Sequence, residues 1–259
     1  MKKRGLLISL FSILLCLSTV SVWAAESMNW YTTRAKDHRQ ALAALELRFV
    51  EELGGYYIDH IHNDENADRV VYLTFDAGYE NGNVEKILNV LRDTSTPGAF
   101  FVLKHFVEAN EDLIQRMQEE GHLICNHTAN HPNLANVKTD IIEAEIKALE
   151  AAVFEVTGKS CAPYFRPPEG SFSRDMLQTV QALGYKTIFW SFAYADWDND
   201  RQMAPDAALE RILANVHNGA VLLLHPTSAT NAAILGEVIH RLKADGYRFG
   251  TLDELCGVR

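Results

Sequence analysis

Cysteine is scarce in this chain of 259 residues, with four in all: Cys16, Cys125, Cys161 and Cys256. Those beyond the first 24 residues are three, far apart, and no CxxC pair occurs. This excludes a disulfide framework and a thiolate zinc centre, and predicts burial of the cysteines as small apolar side chains. Positive charge is also in short supply, with 24 Lys+Arg against 34 Asp+Glu and a net charge of −10. Phosphate recognition runs on lysine and arginine, so this balance argues against nucleic acid or an anionic membrane as partner. No internal repeat, low-complexity tract or interdomain linker is visible, and the composition is not that of a disordered or fibrous chain. The hydrophobic content of 47% suffices for one sizeable core.

The one long apolar run lies at the start. Lys2, Lys3 and Arg4 precede the segment Leu6 to Leu17, and Val22-Trp23-Ala24 follows as a small-residue site. This is the pattern of a secretory signal peptide cleaved after Ala24, with an uncleaved membrane anchor as the alternative. A lipid anchor on Cys16 is disfavoured because Leu15 occupies the place of a small residue. Loss of the segment leaves 21 Lys+Arg against 34 Asp+Glu, a net of −13, on a protein working outside the membrane.

Beyond it, Ala41, Leu45, Phe49 and Leu53 recur at helical spacing, and Gly54-Gly55 ends the run. The spacing predicts an N-terminal helix over Asp37 to Leu53, packed outside the main domain, followed by a polar loop from His60 to Asp68. Short apolar runs then alternate with amphipathic ones. Strands are predicted at Val70–Phe75, Ala99–Leu103, His122–Cys125, Tyr164–Phe165, Lys186–Trp190, Ala220–Leu224 and Arg248–Phe249. Helices are predicted at Asn83–Arg92, Asn110–Glu120, Thr139–Thr157, Arg174–Leu183, Asp206–His217 and Asn231–Ala244. Such alternation argues an α/β fold with a parallel sheet and helices outside, either a barrel or an open doubly wound sheet. The predicted organisation is a signal over 1–24, an N-terminal helix and loop over 25–68, and a catalytic domain over 69–259.

Polar residues follow the predicted strand ends, where parallel α/β folds place their sites. Asp76 follows the first, in Thr74-Phe75-Asp76-Ala77-Gly78; it could equally be a helix N-cap. His127 and His131 follow the third. Four residues apart, they would share a face of one helical turn and reach one ion. No glutamate follows His127, so this is not the zincin motif; a surface histidine pair is the alternative. Arg166 leads into Pro167-Pro168-Glu169-Gly170, where prolines stiffen the backbone. It could also be a plain surface arginine. Asp196 and Trp197 follow the fifth strand. His225 follows the sixth and could be a core histidine, with Asp196 as a carboxylate partner.

Taken in order, Thr74-Phe75-Asp76, His127-Thr-Ala-Asn-His131, Arg166-Pro-Pro-Glu-Gly170, Asp196-Trp197 and Leu223-Leu224-His225 resemble the motifs of carbohydrate esterase family four, the NodB-homology polysaccharide deacetylases. The resemblance covers roughly Val70 to Leu255. It implies a distorted (β/α) barrel with fewer than eight complete units. Gly54-Gly55-Tyr56-Tyr57, Phe75 to Gly82 and Arg166 to Ser173 resemble the muramic-acid deacetylase subgroup more closely. Those enzymes de-N-acetylate N-acetylmuramic acid in peptidoglycan strands stripped of peptide by an amidase, on the way to muramic δ-lactam in spore cortex.

The resemblance implies Asp76 as general base with Arg166 as its partner, and His225 as general acid tuned by Asp196. It implies His127 and His131 as ligands of one divalent metal ion, zinc or another transition metal. The Glu169 N–H would contribute to an oxyanion hole, and Leu223 and Trp197 would shape the acetyl pocket. One position departs. Ala77 stands where the wider family carries a second aspartate as third metal ligand, which leaves water or Glu80 to fill the place. Two other readings stay open: deacetylation of N-acetylglucosamine in peptidoglycan or chitooligosaccharide, and a degenerate wall-binding protein. Retention of Asp76 and His225 speaks against the second, since a binder needs neither base nor acid.

Overall fold

The computed structural model of the protein describes residues 27–258. The signal-peptide reading of residues 1–24 and its cleavage point fall outside them. Among the described residues, no helix is long and apolar enough to cross a membrane.

The sheet is organised around its longest strand, Arg69–Ala77. Successive strand side chains point to opposite faces. Val71, Leu73, Phe75 and Ala77 therefore pack outward into a cluster with Leu88 and Leu91 of helix Val84–Asp93 and Val238 of helix Ala229–Ala244. Val70 and Tyr72 point inward and meet Phe101, Cys125, Tyr164, Ile188 and Val221. Thr74 and Asp76 continue that inner column upward. Ala220–Leu224 flanks the long strand on one side. On the other side come Ala99–Val102, Leu123–Asn126, Tyr164–Phe165, Lys186–Ile188 and Gly55–Tyr56, in that order, all parallel. Tyr247–Phe249 pairs, also parallel, with the first three residues of the long strand. Single bridges, Ile58 to Ala220 and Phe192 to Leu222, span the seam between the two ends of the sheet. The architecture is a distorted, incompletely closed (β/α) barrel, so the open doubly wound alternative falls away.

The N-terminal segment departs from the sequence reading. A helix forms, but as a 3₁₀ helix over Leu45–Leu53 alone. Asp37 and His38 adopt positive φ (57° and 56°), which turns the chain so that Thr32–Thr33 pairs antiparallel with Leu42–Ala43. The buried face is also different: Leu47 and Val50 pack inward while Leu45 is 77% exposed. A 3₁₀ helix has three residues per turn, so the 3.6-residue stripe read from Ala41, Leu45 and Phe49 does not describe it. Leu47 and Val50 pack with Met176, Leu177 and Val180 of helix Arg174–Ala182, and the next residues, Gly55–Tyr56, join the sheet itself. Met28–Asn29 pairs with Ser171–Phe172, beside the Arg166–Gly170 turn. A further helix, Lys104–Ala109, precedes Glu111–Glu119 and was not read from the sequence. The three cysteines described are free, Cys125 and Cys161 buried as expected.

The join between the 3₁₀ helix and the sheet demands glycine. A Cβ at Gly55 would stand 2.7 Å from the Val50 carbonyl oxygen. Gly236, inside helix Ala229–Ala244, has nothing nearer than 3.9 Å. Substitution by alanine is therefore expected to act with opposite signs. Gly55→Ala should destabilise by about 1–3 kcal/mol through overpacking, and Gly236→Ala should stabilise by roughly 0.5–1 kcal/mol through helix propensity. Urea midpoints of the two variants check both signs.

Candidate active site

Arg166 follows strand Tyr164–Phe165 and is fully buried, so it is not the surface arginine of the alternative reading. Burying a guanidinium costs several kcal/mol unless its donors are met. Here Nη1 donates to Asp76 Oδ1 at 2.7 Å, Nη2 to Thr74 Oγ1 at 2.8 Å and Nε to the Ile188 carbonyl at 3.0 Å. The Thr74 hydroxyl hydrogen goes on to the Leu222 carbonyl at 2.7 Å. The guanidinium also lies over the Phe101 ring, 4.1 Å from its centroid.

Asp76 is the penultimate residue of its strand and caps no helix. Burial alone would raise its carboxyl pKa. The Arg166 guanidinium outweighs that, helped by His127 and His225, and the net shift is downward. Asp76 is thus ionised, with Oδ1 engaged by Arg166 and Oδ2 turned towards His127 Nε2 at 3.5 Å.

His127 donates from Nδ1 to the carbonyl of Arg166 at 2.8 Å. Burial pushes its pKa down to about 4 against the pull of Asp76, so the ring is neutral with Nε2 as its lone-pair atom. The ring of His131 stands 5.0 Å from it, centroid to centroid. The helical turn expected across this pair is absent. Thr128 and His131 take positive φ (75° and 58°). Side chains have captured the backbone donors: Asn126 Oδ1 accepts the Thr128 N–H and Thr128 Oγ1 accepts the His131 N–H. Pro132 then disfavours helical geometry at His131.

Among the described residues, no three His, Cys, Asp or Glu side chains converge as a metal site. Ala77 packs outward with Phe75. Glu80 is committed elsewhere, for its carboxylate accepts the N–H groups of Gly82 and Val84 at the start of helix Val84–Asp93. Glu80 is therefore not placed as a third ligand. What the chain offers a divalent ion is the neutral His127 Nε2 and the exposed imidazole of His131, with solvent completing the shell. This fits a weakly held ion better than a closed zinc centre.

His225 follows strand Ala220–Leu224, with its side chain 24% exposed. Its Nδ1 donates to Asp196 Oδ1 at 2.7 Å and its backbone N–H to Asp196 Oδ2 at 2.8 Å. Burial alone would lower the imidazole pKa. The hydrogen bond and charge of Asp196, with Asp76 adding to them, outweigh it, and the net shift is upward.

Glu169 lies in the left-handed region, φ 60° and ψ 3°. Gly170 donates to the Pro167 carbonyl at 3.1 Å. A Cβ at Gly170 would meet Trp190 at 2.6 Å, so only glycine lets that ring form the cleft wall. The cleft holds about 740 Å³ and is lined by Asp76, His127, His131, Glu169 and His225. Leu223 and the 60%-exposed Trp197 line it too. A larger groove of about 830 Å³ follows the N-terminal hairpin, between Arg34, Lys36 and Arg48, and lies apart from this chemistry.

All nine site residues named from the sequence meet here as lining or as supports of the lining. The sequence reading missed the supports that are not charged. Asn231 donates to Asp196 Oδ2 at 2.6 Å. Asn81 and Asn83 both donate to the Thr227 carbonyl, at 2.9 and 3.0 Å, and tie the turn after Asp76 to the turn after His225. Nothing in a single sequence marks these asparagines apart from ordinary turn and helix residues.

A raised folded-state pKa means that the His225–Asp196 pair stabilises the fold fully below about pH 6.5, the ordinary histidine value. That contribution is lost as pH rises through the folded value. Histidine NMR titration is expected to place His225 above its ordinary value and to show His127 uncharged down to about pH 4. In Asp196→Asn the His225 midpoint should fall below that of the parent; an unchanged midpoint would mean that Asp196 does not act on it.

A family profile described as polysaccharide deacetylase matches residues 63–188. The chain is 38% identical over 231 residues to the peptidoglycan-N-acetylmuramic acid deacetylase PdaA of Bacillus subtilis (strain 168), covering 89% of this chain and 86% of that one. The solved structure of Bacillus subtilis PdaA, described as a family 4 carbohydrate esterase, superposes with a TM-score of 0.84 over 89% of this chain and 97% of that one, at 38% identity. A peptidoglycan-N-acetylglucosamine deacetylase of Listeria monocytogenes is 33% identical over 195 residues, 74% of this chain and 40% of its own length. A chitooligosaccharide deacetylase of Rhizobium leguminosarum bv. trifolii is 34% identical over 204 residues, 78% of this chain and 90% of its own.

Proposed function

The chain belongs to the polysaccharide deacetylases of carbohydrate esterase family four, and we propose that it hydrolyses the N-acetyl group of N-acetylmuramic acid in peptidoglycan. The observation that carries the reading is a divided cleft, with the Arg166-paired carboxylate of Asp76 on one wall and the Asp196-bonded imidazole of His225 on the other. The muramic-acid preference draws support from the 38% identity with PdaA and from the resemblance of Phe75 to Gly82 and Arg166 to Ser173 to that subgroup. The glycan would be met at the cell wall after export, once an amidase has removed its peptide.

Amide hydrolysis needs an activated water, a stabilised oxyanion and a protonated leaving nitrogen. Asp76 Oδ2, free of Arg166, takes the proton of the attacking water. Arg166 keeps that carboxylate ionised and fixed. As water adds to the acetyl carbon, the carbonyl oxygen gains charge and meets the Glu169 N–H, a donor of a kind worth about 3 kcal/mol. His225 gives its Nε2 proton to the nitrogen as the C–N bond breaks, because an amide anion cannot leave. Acetate and a free amine result. His127 and His131 would hold a divalent ion, which supplies polarisation of water and carbonyl when bound. Leu223 and Trp197 bound the space for the acetyl methyl.

Mass spectrometry of amidase-treated peptidoglycan after incubation with the protein is expected to show loss of acetyl from muramic acid. Loss from glucosamine alone would move the assignment to N-acetylglucosamine. Asp76→Asn and His225→Ala should each lower kcat by about 10²–10⁴-fold with the fold intact, as expected for acid–base groups. The kcat/KM profile should be bell-shaped: activity falls in acid as Asp76 protonates, below the usual carboxylate range, and in base as His225 loses its proton, above the usual histidine value.

Metal dependence has its own check. Exhaustive chelation is expected to abolish acetate release, and a divalent transition metal to restore it. With two imidazoles as the protein's ligands, half-maximal restoration should need micromolar metal or more, which titration of the chelated protein measures directly (~8 kcal/mol of binding at 1 μM). Full activity after chelation would remove His127 and His131 from the role of ligands.

A further inference from the structure

Buried polar side chains in an enzyme either satisfy one another or hold something in place. Asn231 does the second. It lies in the first turn of helix Ala229–Ala244 and is 1% exposed. Its Nδ2 donates to Asp196 Oδ2 at 2.6 Å and to the His225 carbonyl at 3.1 Å. Its Oδ1 accepts the hydroxyl hydrogen of Tyr194, a buried residue on the cleft wall. We propose that Asn231, oriented by Tyr194, is a positioning residue for the general acid His225.

The amide has one orientation that satisfies every neighbour. A carboxylate only accepts, so the NH₂ must face Asp196. Tyr194 remains a donor because burial, with the charge of Asp196, raises its pKa. Asp196 in turn has both oxygens engaged: Oδ1 by the His225 ring, Oδ2 by the His225 backbone and Asn231. So tied, the carboxylate cannot rotate, and the imidazole it holds presents Nε2 to the cleft at a fixed angle. The charged groups facing His225 are Asp196 on its own side and Asp76 with Arg166 across the cleft, and the Trp197 ring stands 6.2 Å away. None of these replaces the Asn231 donor.

The inference rests on His225 protonating the leaving nitrogen, so the test uses leaving groups with and without that need. An N-acetylated glycan releases an amine that must be protonated, and an activated aryl acetate releases a phenolate that need not be. Asn231→Leu removes both donors at similar volume. Its kcat on the glycan is expected to fall about 10–100-fold, part of the 10²–10⁴ that a positioned acid contributes, while KM and aryl-acetate turnover change less than about threefold. Tyr194→Phe, which removes one hydroxyl and carries little folding risk, should show a smaller loss with the same selectivity. Parallel losses on both substrates would reduce the asparagine to a structural role and overturn the proposal, as would no loss on either.

A readout free of substrate separates this from the deacetylase assignment. The far-downfield proton resonance of His225 Nδ1–H, bonded to Asp196, should be sharp in wild type and in His131→Ala, and broadened or lost in Asn231→Leu. If wild type turns over the aryl acetate but no N-acetylated glycan, the substrate reading fails while this resonance still decides the positioning role. An unchanged resonance in Asn231→Leu overturns it.

Discussion

A buried guanidinium against a carboxylate at the cleft floor, Arg166 on Asp76, is the constraint around which the barrel mouth is arranged. An ion pair so placed survives because Thr74, Ile188 and the Phe101 ring meet the remaining donors and the face of the guanidinium. Removing the acceptor at position 76 altogether would leave the Arg166 guanidinium uncompensated in the interior, a loss typically of about 3–5 kcal/mol. The pair is also where stability and chemistry meet. The same bond that satisfies Arg166 keeps Asp76 ionised, and it leaves Oδ2 as the free basic atom. Arg166 acts through its backbone as well, for its carbonyl accepts the His127 Nδ1 proton and so sets which nitrogen of that ring faces the cleft.

Across the cleft the logic is inverted. The carboxylate there, Asp196, is withdrawn from the substrate space and its charge is directed at an imidazole. Two aspartates in one site thus do different work because of their nearest cation. Asp76 has a permanent one and stays charged; Asp196 has a titratable one and raises its proton affinity. Pushing the pKa values of acid and base apart is the general means by which one site holds both forms at one pH. The asparagines that link the turns after Asp76, Asp196 and His225 are uncharged, so they fix distances without disturbing that separation.

The N-terminal segment completes the frame. Gly55–Tyr56 extends the sheet beside Lys186–Ile188, and the chain before it braces the turn that carries Glu169. The Trp30 N–H donates to the Gly170 carbonyl at 2.8 Å, its indole N–H to the Trp190 carbonyl at 2.8 Å, and its ring stacks on Phe189 with centroids 4.3 Å apart. A left-handed residue such as Glu169 persists only where its surroundings over-determine it. The pairing of Met28–Asn29 with Ser171–Phe172 supplies part of that constraint.

The sequence by itself determined the alternation of strand and helix, because burial on both faces and helical periodicity are local properties of the chain. It also named the charged residues that meet in the cleft, since Asp76, Arg166, Asp196 and His225 stand in ordered motifs at or beyond strand ends. It misjudged Asp37 to Leu53, where tertiary burial of Leu47 and Val50 overrode an apparent helical stripe. It misjudged the backbone between His127 and His131, where side-chain capture of N–H groups won over the helical turn. Only the tertiary structure decided that Glu80 caps a helix instead of facing the cleft, that Ala77 points into the outer core, and that Asn231, bonded by Tyr194, ties Asp196 to the His225 carbonyl. Those facts depend on which face of a strand a residue takes and on what lies across the barrel from it. Neither is a property of neighbours along the chain.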